Sequence, residues 1–172
     1  ATQLTSVGAR DQFIALLDAN GNPLCAKGFH ALSCAVEIEP DGEIVVAGHF
    51  GDSIDHDACD LGSGSVPTTG KADVYVTKLT TAGAPVWTKT YAGDSWEYVR
   101  DLAILPDGNI TLVGSFTGTL DLGGGPLPTA GLFDGFVLTL DGSGASVRPI
   151  IIAKDQLPVP FDANGSVPVS IS

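Results

Sequence analysis

The stretch "LAILPDGNITLVGSF", residues 102–116, has a near copy in "VEIEPDGEIVVAGHF", residues 36–50. In each, two apolar runs flank a Pro-Asp-Gly turn. Proline presets the backbone for one corner and glycine takes the left-handed one, so the pattern encodes a β-hairpin. A hairpin copied this closely points to an internal repeat, and the repeat decides the fold.

Three further segments align around it: "DQFIALLDANGNPL" from Asp11, "DVYVTKLTTAGAPV" from Asp73 and "DGFVLTLDGSGASV" from Asp134. Their lead-ins match as well: "LTSVGARD", "VPTTGKAD" and "LPTAGLFD". The period is about 60 residues, within the range of repeat architectures. A degraded hairpin, "VPFDANGSVPVSIS", lies at 159–172. Each period holds four strand-like runs, best preserved at 73–80, 85–92, 99–105 and 109–117. Four antiparallel strands at a fixed period predict an all-β fold of β-propeller blades. A solenoid uses shorter coils and parallel strands, and a β-sandwich does not require such close copying.

Composition agrees. Among 172 residues, 22 Gly and 11 Pro punctuate the chain densely, which favours short strands over helices. Apolar residues make up 44%, enough for a core. The net charge of −12, with only 8 Lys and Arg, argues against nucleic acid, whose phosphates need clustered cations. It argues equally against anionic membrane surfaces and favours cations such as calcium. No apolar run approaches the roughly 20 residues that span a bilayer, so no membrane insertion is expected. The sequence contains no Met and starts at Ala1 without a signal peptide, which suggests a processed or excised segment. Three cysteines and few lysines fit an exported protein.

The segment from Asp73 to Gly131 resembles the seven-bladed β-propeller repeats of bacterial exported and cell-surface proteins. The shared features are D-x-F/Y-V at Asp73, the Trp87 strand, the acidic-aromatic corner at 94–98, the "PDGN" turn, and "GSFTGTLDLGGG" at 114–125. The resemblance implies a fold, an extracellular or cell-surface location and a scaffold role, and it supplies no catalytic residues. In related propellers the "PDGN" hairpin forms the inner strands of a blade and the "DVYVTKL" hairpin the outer ones. On that reading 34–92 and 99–153 are whole blades, 12–30 is an outer half blade and 156–171 an inner half blade. The chain is then a partial propeller, completed either by the remaining blades of a parent protein or by a homodimer that joins the two half blades.

Every tight turn falls in one class of connection and every long one in the other (29–33, 51–72, 93–98 and 118–133), so the long loops share one face, where binding is expected. Asp52, Asp55, Asp57 and Asp60 place hard oxygen ligands at short spacing, which suits calcium, although a solvated acidic insertion explains them too. Asp94, Trp96, Glu97, Tyr98 and Arg100 combine aromatic stacking surface with hydrogen-bonding groups, a ligand-binding set suited to a glycan. Trp87 and Tyr91 lie on a strand and are read as packing between blades. His30, His49 and His56 stand in no catalytic motif, and "LDANGN" at 17–22 reads as a turn.

Cys34 and Cys59 are expected to form a disulfide, with Cys25 free and buried at the place Trp87 fills one repeat later. A Cys25–Cys34 bridge is the alternative. The function expected is a non-catalytic binding or interaction scaffold, not an enzyme. A carbohydrate-binding lectin using the long-loop face is one alternative, and a propeller-type glycoside hydrolase with loop carboxylates as acid and base is another.

Overall fold

The computed structural model describes residues 4–5, 11–29, 31–51, 58–60, 64–129 and 132–152. Among them every regular element is a strand. The first hairpin joins β1 (Gln12–Leu17) and β2 (Pro23–Phe29). The next strands are β3 (Leu32–Ile38), β4 (Ile44–Gly51), β5 (Ala58–Asp60), β6 (Ser65–Pro67), β7 (Ala72–Leu79) and β8 (Pro85–Tyr91). The last are β9 (Glu97–Ile104), β10 (Ile110–Phe116), β11 (Thr119–Asp121), β12 (Pro126–Pro128), β13 (Asp134–Leu140) and β14 (Ser146–Ile152).

The architecture is all-β, with antiparallel sheets that do not close on themselves. Strands β3-β4-β7-β8 form one four-stranded sheet and β9-β10-β13-β14 a second of the same order. Between the second and third strand of each sheet the chain makes a small separate ladder, β5 with β6 and β11 with β12. The sequence reading treats these stretches as loops; three-residue ladders are too short to carry a period-2 signal.

The hairpin turns at 18–22, 39–43, 80–84, 105–109 and 141–145 are one structure made five times. In each, the first residue's amide donates to the carbonyl of the fifth, and the glycine at the fourth position donates back to the first carbonyl. That glycine has φ between 78° and 89° in all five, the left-handed geometry of a three-residue hairpin loop with a glycine bulge. The hairpins β1–β2, β7–β8 and β13–β14 brace the turn with a side chain at its first position. Asp18, Thr80 and Asp141 there accept amides from two and four residues on. The Pro-Asp-Gly hairpins brace it from the third position, through Asp41 and Asp107.

The sheets stack face to face. Ile14 and Leu16 of β1 pack on Ile44, Val46, Phe50, Tyr75 and Leu79 of the first sheet. That sheet's other face, Val45, Ala47, Val74 and Val76, packs on Ile110, Leu112, Phe116, Phe136, Leu138 and Leu140 of the second. With neighbours on both sides, all eight residues of β7 are buried. The packing repeats in detail. A Cβ on Gly83 would lie 3.3 Å from Cys25 Sγ, and one on Gly144 would lie 3.0 Å from the Trp87 ring, one period later. Trp87 Nε1 also donates to the Gly142 carbonyl at 3.1 Å, so this side chain ties β8 to the next sheet's turn. Cys25 is free and half-buried, more open than expected, as is Trp87 at the equivalent place one repeat later. Cys34 lies on β3 and Cys59 on β5, but their side chains lie outside the described ones, and so does any pairing between them.

Gly114 gives a sharp test of the stacking. A Cβ there would run into the Phe136 ring and the Tyr98 carbonyl, whereas one on Gly124 would meet nothing. Gly114→Ala should lower the free energy of unfolding in urea by about 1–3 kcal/mol or more, the cost of overpacking a core. Gly124→Ala should leave it within about 0.5 kcal/mol of wild type.

Candidate functional site

The link from β8 to β9, residues 92–96, is bound to both neighbours. On one side the Lys71 and Ala72 amides donate to the Ser95 carbonyl at 2.8 and 3.1 Å. On the other, the Thr117 amide donates to the Trp96 carbonyl at 2.9 Å and the Asp94 amide to the Thr119 carbonyl at 3.2 Å. Asp94 Oδ1 takes the Thr119 amide at 2.7 Å, and the Trp96 amide donates to Thr117 Oγ1 at 3.2 Å. The link is therefore a rigid strap at the long-connection end, and it positions the acidic-aromatic group.

That group divides. Trp96, Tyr98 and Arg100 come together. The Trp96 and Tyr98 rings stack at 6.0 Å and 18°, with Lys71 Nζ 5.3 Å over Trp96 and Arg100 5.4 Å over Tyr98. His49, reaching over from β4, meets Tyr98 edge-on at 4.8 Å. Arg100 stands at a bulge, since Val99 pairs with Gly114 and Asp101 with Val113, and its guanidinium reaches Ser115 Oγ at 3.4 Å. Bulges re-aim side chains, and this one turns Arg100 to the surface. The first sheet has the same bulge at Cys34, between pairs Ser33–Gly48 and Ala35–Ala47. Sequence spacing shows neither bulge, nor the approach of Lys71 and His49, which depends on how the sheets stack.

The two acids of the group do different work. Asp94 is spent on the backbone of the β11 hairpin. Glu97 is fully buried, and neither of its oxygens has a hydrogen-bond partner; the Gly93 and Ser95 amides approach without good alignment. Burial, the nearby Asp73 carboxylate and, less strongly, Asp94 push its pKa up to about 8. Asp73 is itself buried and raised by burial, although its Oδ2 accepts the Thr69 amide at 2.6 Å. One repeat earlier Glu97's place is held by Ala31, also fully buried, so the fold does not demand an acid there. Tyr91, buried beside the second sheet, has its phenol pushed up to about 12 by burial.

The expected calcium ligands Asp52, Asp55 and Asp57 lie outside the described residues, and of Asp60 only the backbone, in β5, is described. A different acidic trio, Glu39, Asp41 and Glu43, gathers around the first Pro-Asp-Gly turn. Lys78 already fills it, with Nζ 2.7 Å from both glutamates. Burial pulls that ammonium's pKa down, but the two carboxylates outweigh it and the net shift is upward. A divalent ion would have to displace this internal cation. The lone lysine in "DVYVTKL" is the signal that marks it in the sequence.

A cleft of about 530 Å³ opens at the tight-turn end, lined by Glu37, Ile38, Pro40, Ile104, Leu105 and Asp107. It lies on the opposite end from the long connections. No protein-family model matches the chain, and no curated protein matches it either.

The Glu97 geometry sets a pH dependence. The folded chain holds a proton on Glu97 up to about pH 8, whereas the unfolded chain releases it near 4.5. Stability from this site is complete below about 4.5 and is lost as the pH rises towards 8. Glu97→Gln should therefore gain on wild type by up to about 1.4 kcal/mol per pH unit across that window. Urea midpoints at pH 5, 6, 7 and 8 measure it, and parallel curves for the two proteins would show Glu97 to be ionised in the fold.

Proposed function

We propose that the chain is a run of β-propeller-type blades that serves as a non-catalytic binding scaffold in an exported bacterial protein. The observation that carries this reading is the repeated stacking, in which Cys25 meets the Gly83 turn as Trp87 meets the Gly144 turn. A unit that packs the same way on each successor is built for extension, and its long connections lie at one end, where loops on a rigid scaffold commonly bind. The strap residues also argue for rigidity over chemistry: Asp94 is committed to backbone, and Glu97 is sealed from solvent. Glu97 is not presented to a substrate as an acid or base, and Asp94 holds backbone through Oδ1.

A second reading, a lectin-like site, is favoured by the stacked Trp96–Tyr98 pair flanked by Lys71 and Arg100. Two of the 8 basic residues of a chain with net charge −12 meet at this one spot. Rings edged by cations suit a sugar that carries a carboxylate or sulfate.

A glycoside-hydrolase panel and a glycan array separate the readings. The scaffold reading expects no turnover and no sugar retained. Turnover abolished by Glu97→Gln or Asp94→Asn would overturn it in favour of an enzyme. Binding of acidic glycans that falls at least tenfold in Trp96→Ala and Arg100→Ala would establish the lectin reading.

A further inference from the structure

Two buried carboxylates stand side by side where the two four-stranded sheets meet. A parallel bridge pairs Ala72 with Trp96, which brings the next residue of each segment, Asp73 on β7 and Glu97 on β9, to the same inward side. Glu97 is fully buried and Asp73 is 1% exposed. Glu97 Oε1, Glu97 Oε2 and Asp73 Oδ1 all lack a hydrogen-bond partner. Asp73 Oδ2 alone is engaged, by the Thr69 amide at 2.6 Å. One proton shared between the two carboxyls satisfies at most two of the three orphaned oxygens. A Cβ on Gly93 would run into both Glu97 Oε1 and the Thr119 carbonyl, so these two oxygens converge on one point. That carbonyl accepts the Asp94 amide with one lone pair and keeps the other. The cations closest in sequence, Lys71 and Arg100, lie over the Trp96 and Tyr98 rings on the strand's other side. The charges that act on Glu97 are those of Asp73 and Asp94, both negative. The repeat does not impose this arrangement: Asp73 recurs as Asp11 and Asp134, but Ala31 holds Glu97's place one repeat earlier. Buried oxygens of this kind need a partner.

We propose that Asp73 and Glu97 anchor a calcium ion that ties the first four-stranded sheet to the second at the long-connection end. With both carboxyls ionised the pair carries two negative charges, which one divalent cation neutralises. The donors are oxygens throughout, whereas zinc and copper sites draw on nitrogen and sulfur. Glu97 offers both its oxygens, the bidentate mode that calcium accepts alongside backbone carbonyls in irregular geometry; magnesium demands a near-ideal octahedron. Glu97 Oε1 and Oε2, Asp73 Oδ1 and the Thr119 carbonyl supply the protein's share of the about six to eight oxygens that calcium takes. Waters complete the shell from the side of Gly93, half-exposed, and Asp94, exposed. Binding releases to solvent the proton that Glu97 otherwise holds. The ion also fixes the strap on which the Trp96–Tyr98 strip stands, whatever ligand that strip takes. This site is separate from the acidic stretch at 52–60 and from the Glu39, Asp41 and Glu43 trio, which Lys78 already fills.

Thermal melts at pH 7, first in chelator and then in millimolar calcium or magnesium, test the site. Wild type should melt several degrees higher with calcium than in chelator, because the ion binds only the folded chain. Magnesium should give a far smaller gain. Glu97→Gln should melt at or above wild type in chelator, as the pH dependence above requires, yet gain nothing from calcium. That reversal separates a lost ligand from a damaged fold. Glu97→Ala, which takes the residue of the earlier repeat, should likewise be blind to calcium. Terbium in calcium's place should emit when excited through Trp96, the neighbour of Glu97, and the emission should fall at least tenfold in Glu97→Gln. Asp52→Asn/Asp55→Asn/Asp57→Asn/Asp60→Asn should keep the calcium gain. Wild-type melts that coincide with and without calcium would overturn the site. So would a calcium gain that survives Glu97→Gln, or one that disappears in the quadruple variant instead. An equal gain from magnesium would overturn calcium as the ion.

Discussion

Everything in this fold depends on the burial of both faces of the central sheet. One face of β4 and β7 takes the β1 hairpin and the other takes the second sheet. A strand in that position has no solvent side, so β7 is buried from Ala72 to Leu79, and its polar members must be satisfied within the stack. Thr77 does so by bonding the Thr88 hydroxyl at 2.9 Å, and Lys78 by taking both Glu39 and Glu43. A buried ammonium with two carboxylates retains its charge; with both glutamates removed it would be a costly isolated ion.

The same stacking explains why the strap at 92–96 is rigid. It must cross from the outer edge of one sheet to the first strand of the next, and both layers offer backbone groups along its path. Those hydrogen bonds leave Glu97 facing inward beside Asp73 and place Trp96 and Tyr98 outward between Lys71 and Arg100. A buried acid pair and a half-buried aromatic strip edged by exposed cations thus arise from adjacent residues, because successive side chains of a strand point to opposite faces. The pair costs desolvation that one bound proton relieves, and the alanine in the equivalent position of the earlier repeat avoids that cost.

Much of this was legible in the residues themselves. Turn chemistry is local: a glycine four residues into each turn, with Asp, Thr or Pro-Asp ahead of it, dictates the left-handed corner wherever it occurs. Five hairpins and their strands therefore follow from spacing alone. Copying at a fixed period also implies one packing mode used repeatedly, which Cys25 on Gly83 and Trp87 on Gly144 display.

What spacing does not encode is how separate strands come to lie beside one another. The short ladders β5–β6 and β11–β12, the bulges at Arg100 and Cys34, the clasp of Lys78, and the division of the 94–100 group into a sealed acid and a half-buried aromatic strip all arise where distant segments meet. Sequence by itself determined which residues alternate, where the chain turns and which segments are equivalent, since each depends on backbone conformations a few residues long. Tertiary structure alone decided which of two equivalent faces is covered. Val36 and Leu102 occupy the same repeat position, yet one is open and the other buried, because burial is set by the neighbouring layer and not by the residue.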